Sequence, residues 1–269
     1  MTAKIVTLIF LLVGTATFTG AAETVTFKST SKALGEARLM LAGKLTKPQG
    51  DGPFPAVVLL HGCGGIQKQR DDLWAERLVS WGYAALQVDS FRPRGDSNVC
   101  ANRSLSNQYI PKRAQDAYDA KSYLAGLPSV DRNRIAVVGW SHGGWSTLAA
   151  ISPTTWSRTP RPSDPFSAAV VFYPYCDEPL DRMESPLLIL IGGSDDWTPA
   201  NLCQKFMPGG KTQHDVILKV YPGAFHGFDT EGLDRMVRGS SGLHQMRYDP
   251  AAAADAVVQV KNFLGKNLK

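Results

Sequence analysis

A serine in a glycine-flanked turn is the first residue of this chain whose setting suggests chemistry. Ser141 lies in the segment 139–143 (Gly-Trp-Ser-His-Gly), which follows an apolar run at residues 135–138. Glycines two positions before and after the serine remove Cβ atoms that would collide in a sharp strand-to-helix turn. Such a turn exposes the serine hydroxyl as a nucleophile. It also directs the N–H of His142 towards the oxyanion that forms when the hydroxyl attacks an acyl carbon.

A carboxylate that could orient a catalytic base follows a later apolar run. Residues 187–191 lead into Gly-Gly-Ser-Asp-Asp-Trp-Thr-Pro at 192–199, which holds Asp195 and Asp196 side by side. A carboxylate here can accept the Nδ1–H of a histidine and stabilise the imidazolium that forms during catalysis. We favour Asp195, because Asp196 lies close enough to the proline-started helix to cap it or to face solvent. The alternative is that both are turn carboxylates.

The histidine that best fits the role of general base is His226. It lies in the loop 221–228, directly after the apolar run 216–220. Neutral imidazole is the appropriate base for a serine hydroxyl near neutral pH. The other histidines fit less well: His61 and His142 follow other strands, His214 precedes a strand, and His244 lies deep in a predicted loop. The chain order of serine, aspartate and histidine is the one that α/β-hydrolases use.

A glycine-rich turn after the first buried strand predicts the second half of an oxyanion hole. The segment 61–65 (His-Gly-Cys-Gly-Gly) follows the apolar run 56–60. Glycines at a strand end let backbone N–H groups approach a substrate oxygen, so we assign the N–H of Cys63 as the donor that complements His142. The alternative is a packing turn. We expect His61 to be structural, because it precedes the nucleophile and occupies a tight turn.

These residues must be positioned by alternating strands and helices. Residues 24–30 and 36–44 alternate polar and apolar side chains, which indicates half-exposed antiparallel strands. Uninterrupted apolar runs, typical of strands buried on both faces, then lie at 56–60, 83–88, 134–139, 168–172, 187–191 and 216–220. Helical patterns separate them at 71–81, 112–127, 144–151, 199–207 and 251–268, and loops are expected at 92–111, 152–166 and 228–249. The pattern predicts an α/β fold with a mostly parallel eight-stranded sheet and helices on both faces. The segment between residues 172 and 187 is too short for a lid domain, so we expect an open active site.

The first 22 residues have the pattern of a signal peptide. Lys4 supplies a positive charge, residues 5–13 are apolar apart from Thr7, and small residues follow at 20–22. The apolar stretch is too short to span a bilayer comfortably, so we expect cleavage after Ala22 and no stable membrane span thereafter. The prediction is a single exported domain at residues 23–269, periplasmic or secreted.

Composition narrows the possible partners and cofactors. The chain has 269 residues, 43% of them hydrophobic, and a formal net charge of +5. Lysine and arginine are scattered rather than clustered, so we expect no nucleic-acid partner. The chain has four cysteines without metal-ligand spacing, which indicates disulfides in an exported protein and leaves three connectivities open. We expect neither a metal nor a cofactor.

Three segments of the chain resemble a known family. GWSHGG at 139–144, GGSDDWTP at 192–199 and YPGAFHGF at 221–228 are similar to blocks of the dienelactone hydrolase family, within the α/β-hydrolase superfamily. The likeness runs from about residue 54 to the C-terminus. It implies a single domain with a minimal lid that hydrolyses esters or lactones without metal or cofactor. It also implies that Ser141 is the nucleophile, Asp195 the acid and His226 the base.

This chain differs from the family's namesakes at two positions, and the resemblance also implies how its cysteines pair. The family's namesakes have a cysteine nucleophile where this chain has Ser141, and they place a glutamate near the strand that here ends at His61. We therefore expect a more general hydrolase, acting on carboxylic esters or on peptide-related substrates. The strand order usual in the superfamily implies disulfides between Cys63 and Cys100 and between Cys176 and Cys203.

Candidate substrate contacts complete the prediction. Arg92 and Arg94 follow the strand 83–88 and could clamp a substrate carboxylate, or could simply hold their own loop. Trp197 is a candidate for the wall of an acyl pocket, together with Tyr175. The tryptophans flanking the nucleophile, at positions 140 and 145, could also line it, although core packing is the better expectation for them. The predicted function is a serine hydrolase that cleaves small-molecule esters through an acyl-enzyme. The alternatives are a lactone hydrolase, a peptidase, or a non-catalytic binding protein on the same fold.

Overall fold

The strand that leads to Ser141 lies inside an eight-stranded sheet. The structure is a computed structural model that describes residues 21–30, 39–155 and 164–269. The strands of this sheet are β1 (Ala21–Lys28), β2 (Met40–Lys47), β3 (Phe54–Leu60), β4 (Ala84–Asp89), β5 (Val130–Trp140), β6 (Ala169–Phe172), β7 (Leu187–Gly192) and β8 (Val216–Tyr221). Their spatial order is β1-β2-β4-β3-β5-β6-β7-β8. Strand β2 pairs antiparallel with both β1 and β4, and the remaining pairs are parallel. The prediction of a mostly parallel sheet with an antiparallel start is confirmed.

Helices flank the sheet and cover its apolar residues. They are α1 (Lys68–Ser80), α2 (Arg103–Ala125), α3 (His142–Ile151), α4 (Ala200–Phe206) and α5 (Pro250–Asn267). All residues of β4, β6 and β7 are buried, as are the last six of β5. Strands covered on both faces need apolar side chains on both faces, which is why their sequences are continuous rather than alternating apolar runs. The segments predicted to carry the catalytic residues follow the carboxyl ends of β3, β5, β7 and β8, the edge at which open α/β sheets bind ligands.

Helix α2 starts nine residues earlier than the sequence predicts. The sequence pattern predicts a loop over residues 103–111, and this segment ends at Pro111, a residue type that lacks an N–H and usually interrupts a helix. The helix nevertheless runs through Pro111. Its first turn is closed by Asn102, whose side chain accepts a hydrogen bond from the N–H of Leu105 at 3.0 Å. Both Asn107, one turn before the proline, and Pro111 line the cavity described below.

A β-hairpin occupies most of the segment 228–249, which was expected to be loop. Strands β9 (Asp234–Gly239) and β10 (Gly242–Arg247) pair antiparallel around a two-residue turn. Its residues are mostly exposed and polar, so it lacks the apolar alternation that signals a strand. The hairpin is held by tertiary contacts instead: the N–H of Arg247 donates to the carbonyl oxygen of His226 at 3.1 Å. It is therefore attached directly to the loop of the candidate base.

The predicted signal peptide lies mostly outside the described residues. Ala21 and Ala22 are described, and they form the start of β1, opposite Lys47 and Thr46 of β2. A chain cleaved after Ala22 would keep the other six residues of that strand. Across the described ranges, no helix has the length and apolar character needed to cross a membrane.

Candidate active site

Ser141 occupies a strained turn between β5 and α3. Its φ of 54° and ψ of −115° lie in a region that non-glycine residues rarely adopt. The turn is tight enough to need glycine on both sides. A Cβ on Gly139 would collide with the carbonyl oxygen of Gly143, and a Cβ on Gly143 would collide with those of Leu60 and His61. The sequence pattern therefore has the steric cause that was inferred for it.

His226 lies within hydrogen-bond distance of both other residues predicted for catalysis, Ser141 and Asp195. Nε2 of His226 is 2.9 Å from Oγ of Ser141, and Nδ1 of His226 is 2.8 Å from Oδ2 of Asp195. His226 and Asp195 are buried, whereas Ser141 is half-buried and faces a cavity. If Nδ1 carries the ring proton and donates to Asp195, Nε2 is free to accept the serine proton.

Asp195 is held in its ionised form by the groups around it. Oδ1 accepts the backbone N–H groups of Trp197 and Thr198 at 2.9 and 2.8 Å, and Oδ2 accepts the Thr198 hydroxyl at 3.0 Å. Burial alone would raise the pKa of this carboxyl. Attraction to His226 and the hydrogen bonds from His226, Thr198 and Trp197 outweigh burial, so the pKa of Asp195 lies below its usual value.

Asp196 lies in a different environment, which favours Asp195 of the two adjacent carboxylates. Its side chain is 48% exposed and accepts the backbone N–H of Gln245 in β10 at 3.2 Å. Its nearest histidine is His244, at 3.7 Å, not His226. Asp196 thus connects the acid loop to the hairpin rather than capping α4, whose N-cap residue is Pro199.

The two residues predicted to supply the oxyanion donors line the same cavity as Ser141. His142 is the first residue of α3, and the N–H groups at a helix start have no partner within the helix. Cys63 lies in the turn that follows β3. A disulfide joins Cys63 to Cys100, and a second joins Cys176 to Cys203. The pairing implied by the family resemblance is confirmed.

The cavity in front of Ser141 has a volume of about 980 Å³ and is open to solvent. Trp145, Tyr175 and Trp197 contribute aromatic surface to it, whereas Trp140 is fully buried in the core. Ser240, Ser241 and His244 of the hairpin form part of its wall, and sequence reasoning missed all three. The only available signal was the pair of glycines flanking the two-residue turn at 240–241.

Trp197 lies between the hairpin and His226, the candidate base. Its indole lies between two imidazoles, with ring centroids 5.0 Å from His226 and 5.0 Å from His244. A Cβ on Gly239 would lie 2.7 Å from the indole nitrogen, so the hairpin backbone packs directly against this ring. The hairpin therefore packs against the same indole ring that contacts the candidate base.

Neither predicted arginine is placed at the cavity. The Arg94 side chain is 6% exposed, and its guanidinium donates to both carboxylate oxygens of the buried Asp116 at 2.8 Å. Arg92 is 74% exposed, and its nearest carboxylate is Asp89 at 3.7 Å. This placement supports the alternative that these arginines hold their own loop, and it gives no role to either in binding substrate.

A buried aspartate, also missed from the sequence, lies behind the base. Asp229 accepts hydrogen bonds from the indole N–H groups of Trp74 and Trp140, both at 2.9 Å, and from the Tyr173 hydroxyl at 2.7 Å. The Tyr173 ring lies 4.5 Å from the His226 ring, centroid to centroid. This carboxylate joins α1, the nucleophile strand and the loop after β6 to the loop that carries the base.

Comparison with known proteins identifies the family. The profile of the dienelactone hydrolase family matches residues 41–268. The chain belongs to the dienelactone hydrolase family. A Synechocystis protein provisionally named a carboxymethylenebutenolidase is 25% identical over 265 residues, which cover 91% of this chain and all of that protein.

Solved structures support the fold assignment. The dienelactone hydrolase of Anabaena variabilis has a TM-score of 0.65 at 18% identity, covering 93% of this chain and 99% of its own. Esterase 2 of Thermogutta terrifontis, solved as its paraoxon-phosphorylated form, has a TM-score of 0.61 at 17% identity, covering 91% and 94%. At these identities the likeness establishes the α/β-hydrolase fold. Within the described ranges, no group of three or more histidine, cysteine, aspartate or glutamate side chains could hold a metal ion.

Proposed function

We propose that this member of the dienelactone hydrolase family is an exported serine hydrolase that cleaves carboxylic esters through an acyl-enzyme. The observation that carries the proposal is the continuous hydrogen-bonded chain from Ser141 through His226 to Asp195, opening onto a cavity of about 980 Å³. A nucleophile, a base within hydrogen-bond distance and a group that orients the base are the parts that acyl transfer requires.

The reaction would proceed in two halves. In the first, Nε2 of His226 takes the proton of Ser141 as Oγ attacks the acyl carbon, and the N–H groups of His142 and Cys63 stabilise the oxyanion. The imidazolium then protonates the departing alcohol, which leaves an acyl group on Ser141. In the second half, His226 activates water, the acyl group is released as a carboxylic acid, and Ser141 regains its proton.

Export is supported by the apolar N-terminus and by the two disulfides. Disulfides persist in oxidising compartments and are rare in the cytosol of mesophiles. Each one links a segment that lines the cavity to a neighbouring segment, Cys63 to Cys100 and Cys176 to Cys203. Expression with the native N-terminus, followed by N-terminal sequencing of the mature protein, tests this: a first residue at or near Glu23 is expected.

The decisive test of the nucleophile is Ser141→Ala. We expect kcat on p-nitrophenyl esters to fall by about 10⁵–10⁶-fold, since removing a catalytic serine elsewhere has that effect. A fluorophosphonate probe should modify Ser141 in the wild type and leave the variant unmodified. Retention of wild-type turnover by Ser141→Ala, or no adduct on Ser141, would contradict the proposal and favour a non-catalytic binding protein.

A second candidate within the same mechanism is a lactone hydrolase, which family membership favours. A lactone opens by the same attack, but its leaving alcohol stays attached to the acyl group. A panel of alkyl esters, simple lactones and peptide amides, assayed with one enzyme preparation, separates the candidates by kcat/KM. Highest kcat/KM on lactones would replace the ester assignment while leaving the catalytic residues unchanged, and highest kcat/KM on amides would indicate a peptidase.

A further inference from the structure

The buried guanidinium of Arg113 touches both halves of the proposed oxyanion hole. Arg113 lies in α2 and is fully buried. Its Nη2 donates to the carbonyl oxygen of His61 at 2.5 Å, and its Nη1 lies 2.5 Å from Nδ1 of His142. The first contact fixes the peptide group between His61 and Gly62, which directly precedes the peptide group that carries the Cys63 N–H. The second fixes the residue whose own N–H is the other donor.

The chemistry of arginine sets the state of the histidine between them. A guanidinium can only donate, so Nδ1 of His142 must accept and the ring proton must be on Nε2. Nε2 indeed lies 3.0 Å from the carbonyl oxygen of Ser106, to which it donates. Burial, and then repulsion from Arg113, lowers the pKa of His142 to about 3, so the ring stays neutral. The imidazole is thereby anchored at both nitrogens to α2.

The bonding of Arg113 differs from that of the neighbouring buried arginines. Arg94 pairs with Asp116, and Arg70 pairs with Asp71 at 2.7 Å. In the described part of the chain, no carboxylate lies within ion-pair distance of Arg113, and its Nε has no hydrogen-bond partner. Burying a guanidinium is costly unless charge or hydrogen bonds compensate. Among the residues that the structure describes, Arg113 therefore makes no ion pair, and its two hydrogen bonds go to the segments that carry the proposed oxyanion donors.

We propose that Arg113 is a positioning residue that fixes the N–H groups of Cys63 and His142 at the separation needed to hold the oxyanion. The inference rests on the proposed hydrolase function. Oxyanion donors act on the transition state rather than on bound substrate, so a loss of their alignment lowers kcat and leaves KM nearly unchanged. Only a forked donor reaches both acceptors, and a lysine ammonium is a single point of attachment.

The test compares Arg113→Lys and Arg113→Met with the matched control Arg94→Lys. Arg94 is also a buried arginine, but its described contacts do not reach the oxyanion segments. For Arg113→Met we expect kcat to fall by about 100-fold with KM within about 3-fold of wild type, the size seen when an oxyanion donor is lost or reacting groups shift by about 1 Å. For Arg113→Lys we expect most of the same loss of kcat, because lysine keeps the positive charge but cannot donate to both acceptors at once. Arg94→Lys should keep kcat within about 3-fold of wild type.

A transition-state analogue provides the readout that a merely structural role would not move. A trifluoromethyl ketone adds to Ser141 and places an oxyanion in the hole, whereas the matching methyl amide binds as a ground-state analogue. The affinity of the Arg113 variants for the ketone should weaken in parallel with kcat/KM, and their affinity for the amide should not change. Equal weakening for both inhibitors, or equal kcat losses in Arg113→Lys and Arg94→Lys, would overturn the inference.

Failure of the inference and failure of the proposed function give different results. If a fluorophosphonate does not modify Ser141 in the wild type, the proposed function itself is wrong. If the probe modifies wild type and all variants at the same rate and the Arg113 variants keep kcat, only the positioning role of Arg113 is wrong. Thermal unfolding of each variant, followed by circular dichroism, identifies those that are folded at the assay temperature.

Discussion

Asp195 and Asp196 are adjacent in the chain, yet their carboxylates occupy opposite environments. Asp195 is buried and receives hydrogen bonds from two backbone N–H groups, a threonine hydroxyl and His226. Asp196 is about half exposed and contacts the hairpin through the N–H of Gln245. A carboxylate fixed by several donors can orient an imidazole, whereas one in contact with water has no fixed direction. The difference makes the two residues a matched pair for mutation.

We predict that Asp195→Asn lowers kcat by about 10⁴-fold, as expected when the base is left in the wrong tautomer. The asparagine amide can donate to Nδ1 of His226, which would move the ring proton to Nε2 and prevent it from accepting the serine proton. Asp196→Asn should change kcat by less than about 3-fold. Steady-state kinetics on a p-nitrophenyl ester measures both, and similar losses in the two variants would contradict the assignment of the acid.

The turn between β5 and α3 shows how one structural element fixes a reactive side chain. The backbone N–H of Trp145 donates to the carbonyl oxygen of Ser141 at 2.9 Å. The first hydrogen bond of helix α3 therefore starts from the strained residue itself. Gly143 and Gly139 let the helix start approach β3 and the end of β5 without Cβ collisions. The strain at Ser141 is therefore maintained by packing on both sides of the turn.

Gly143→Ala and Gly265→Ala test this account with the same chemical change. A Cβ at Gly143 would collide with the backbone of Leu60 and His61, so we expect a loss of more than about 2 kcal/mol in the free energy of unfolding and of most activity. Gly265 lies in α5 with open space around it, so alanine should stabilise by about 0.5–1 kcal/mol. Urea unfolding followed by tryptophan fluorescence measures both, and destabilisation of similar size in the two variants would refute the steric explanation.

The two disulfides offer a second comparison between elements. Cys63 and Cys100 are 37 residues apart in the sequence, and Cys176 and Cys203 are 27 residues apart. Replacing either pair by serines should lower the free energy of unfolding by about 2–4 kcal/mol, since the unfolded chain is less constrained. We expect kcat to fall further in the Cys63→Ser/Cys100→Ser variant, because that bridge holds the segment with an oxyanion donor. Equal kcat in the two double variants would argue against Cys63 as a donor.

Across the whole molecule, the buried histidines make stability depend on pH. Burial is the main reason that the pKa of His61 lies well below 6.5 and that of His142 falls to about 3. The unfolded chain binds protons at these residues as the pH falls below about 6.5, whereas the native state does not. The contribution of these histidines is therefore fully present above about pH 6.5 and is lost progressively as the pH falls towards 3.

His142→Asn isolates one of these contributions, because the asparagine oxygen can still accept a hydrogen bond from Arg113. The wild type should lose stability faster than this variant on acidification from about pH 6.5 to 5, by up to about 1.4 kcal/mol per pH unit. Above about pH 7.5 the two curves should be parallel. Burial raises the pKa values of Asp71 and Asp116, which opposes the loss of stability at low pH. Both proteins share this contribution, so it cancels when the free energies of unfolding of wild type and variant are subtracted at each pH. Parallel curves throughout, measured by urea unfolding, would contradict the neutral assignment of His142.

The main sheet, the helices that flank it and the three residues of the hydrogen-bonded chain could be predicted from the sequence. Apolar runs on buried strands, glycines around Ser141 and the chain order of acid and base are local features, and local backbone sterics fix their consequences. The different environments of Asp195 and Asp196, the hairpin wall of the cavity and the hydrogen bonds of Arg113 became visible only in the three-dimensional structure. These depend on which side chains meet across distant segments. The hairpin is held by contacts with Trp197 and the His226 loop, and the direction of a buried guanidinium is set by its acceptors, so neither leaves a periodic signal in its own segment.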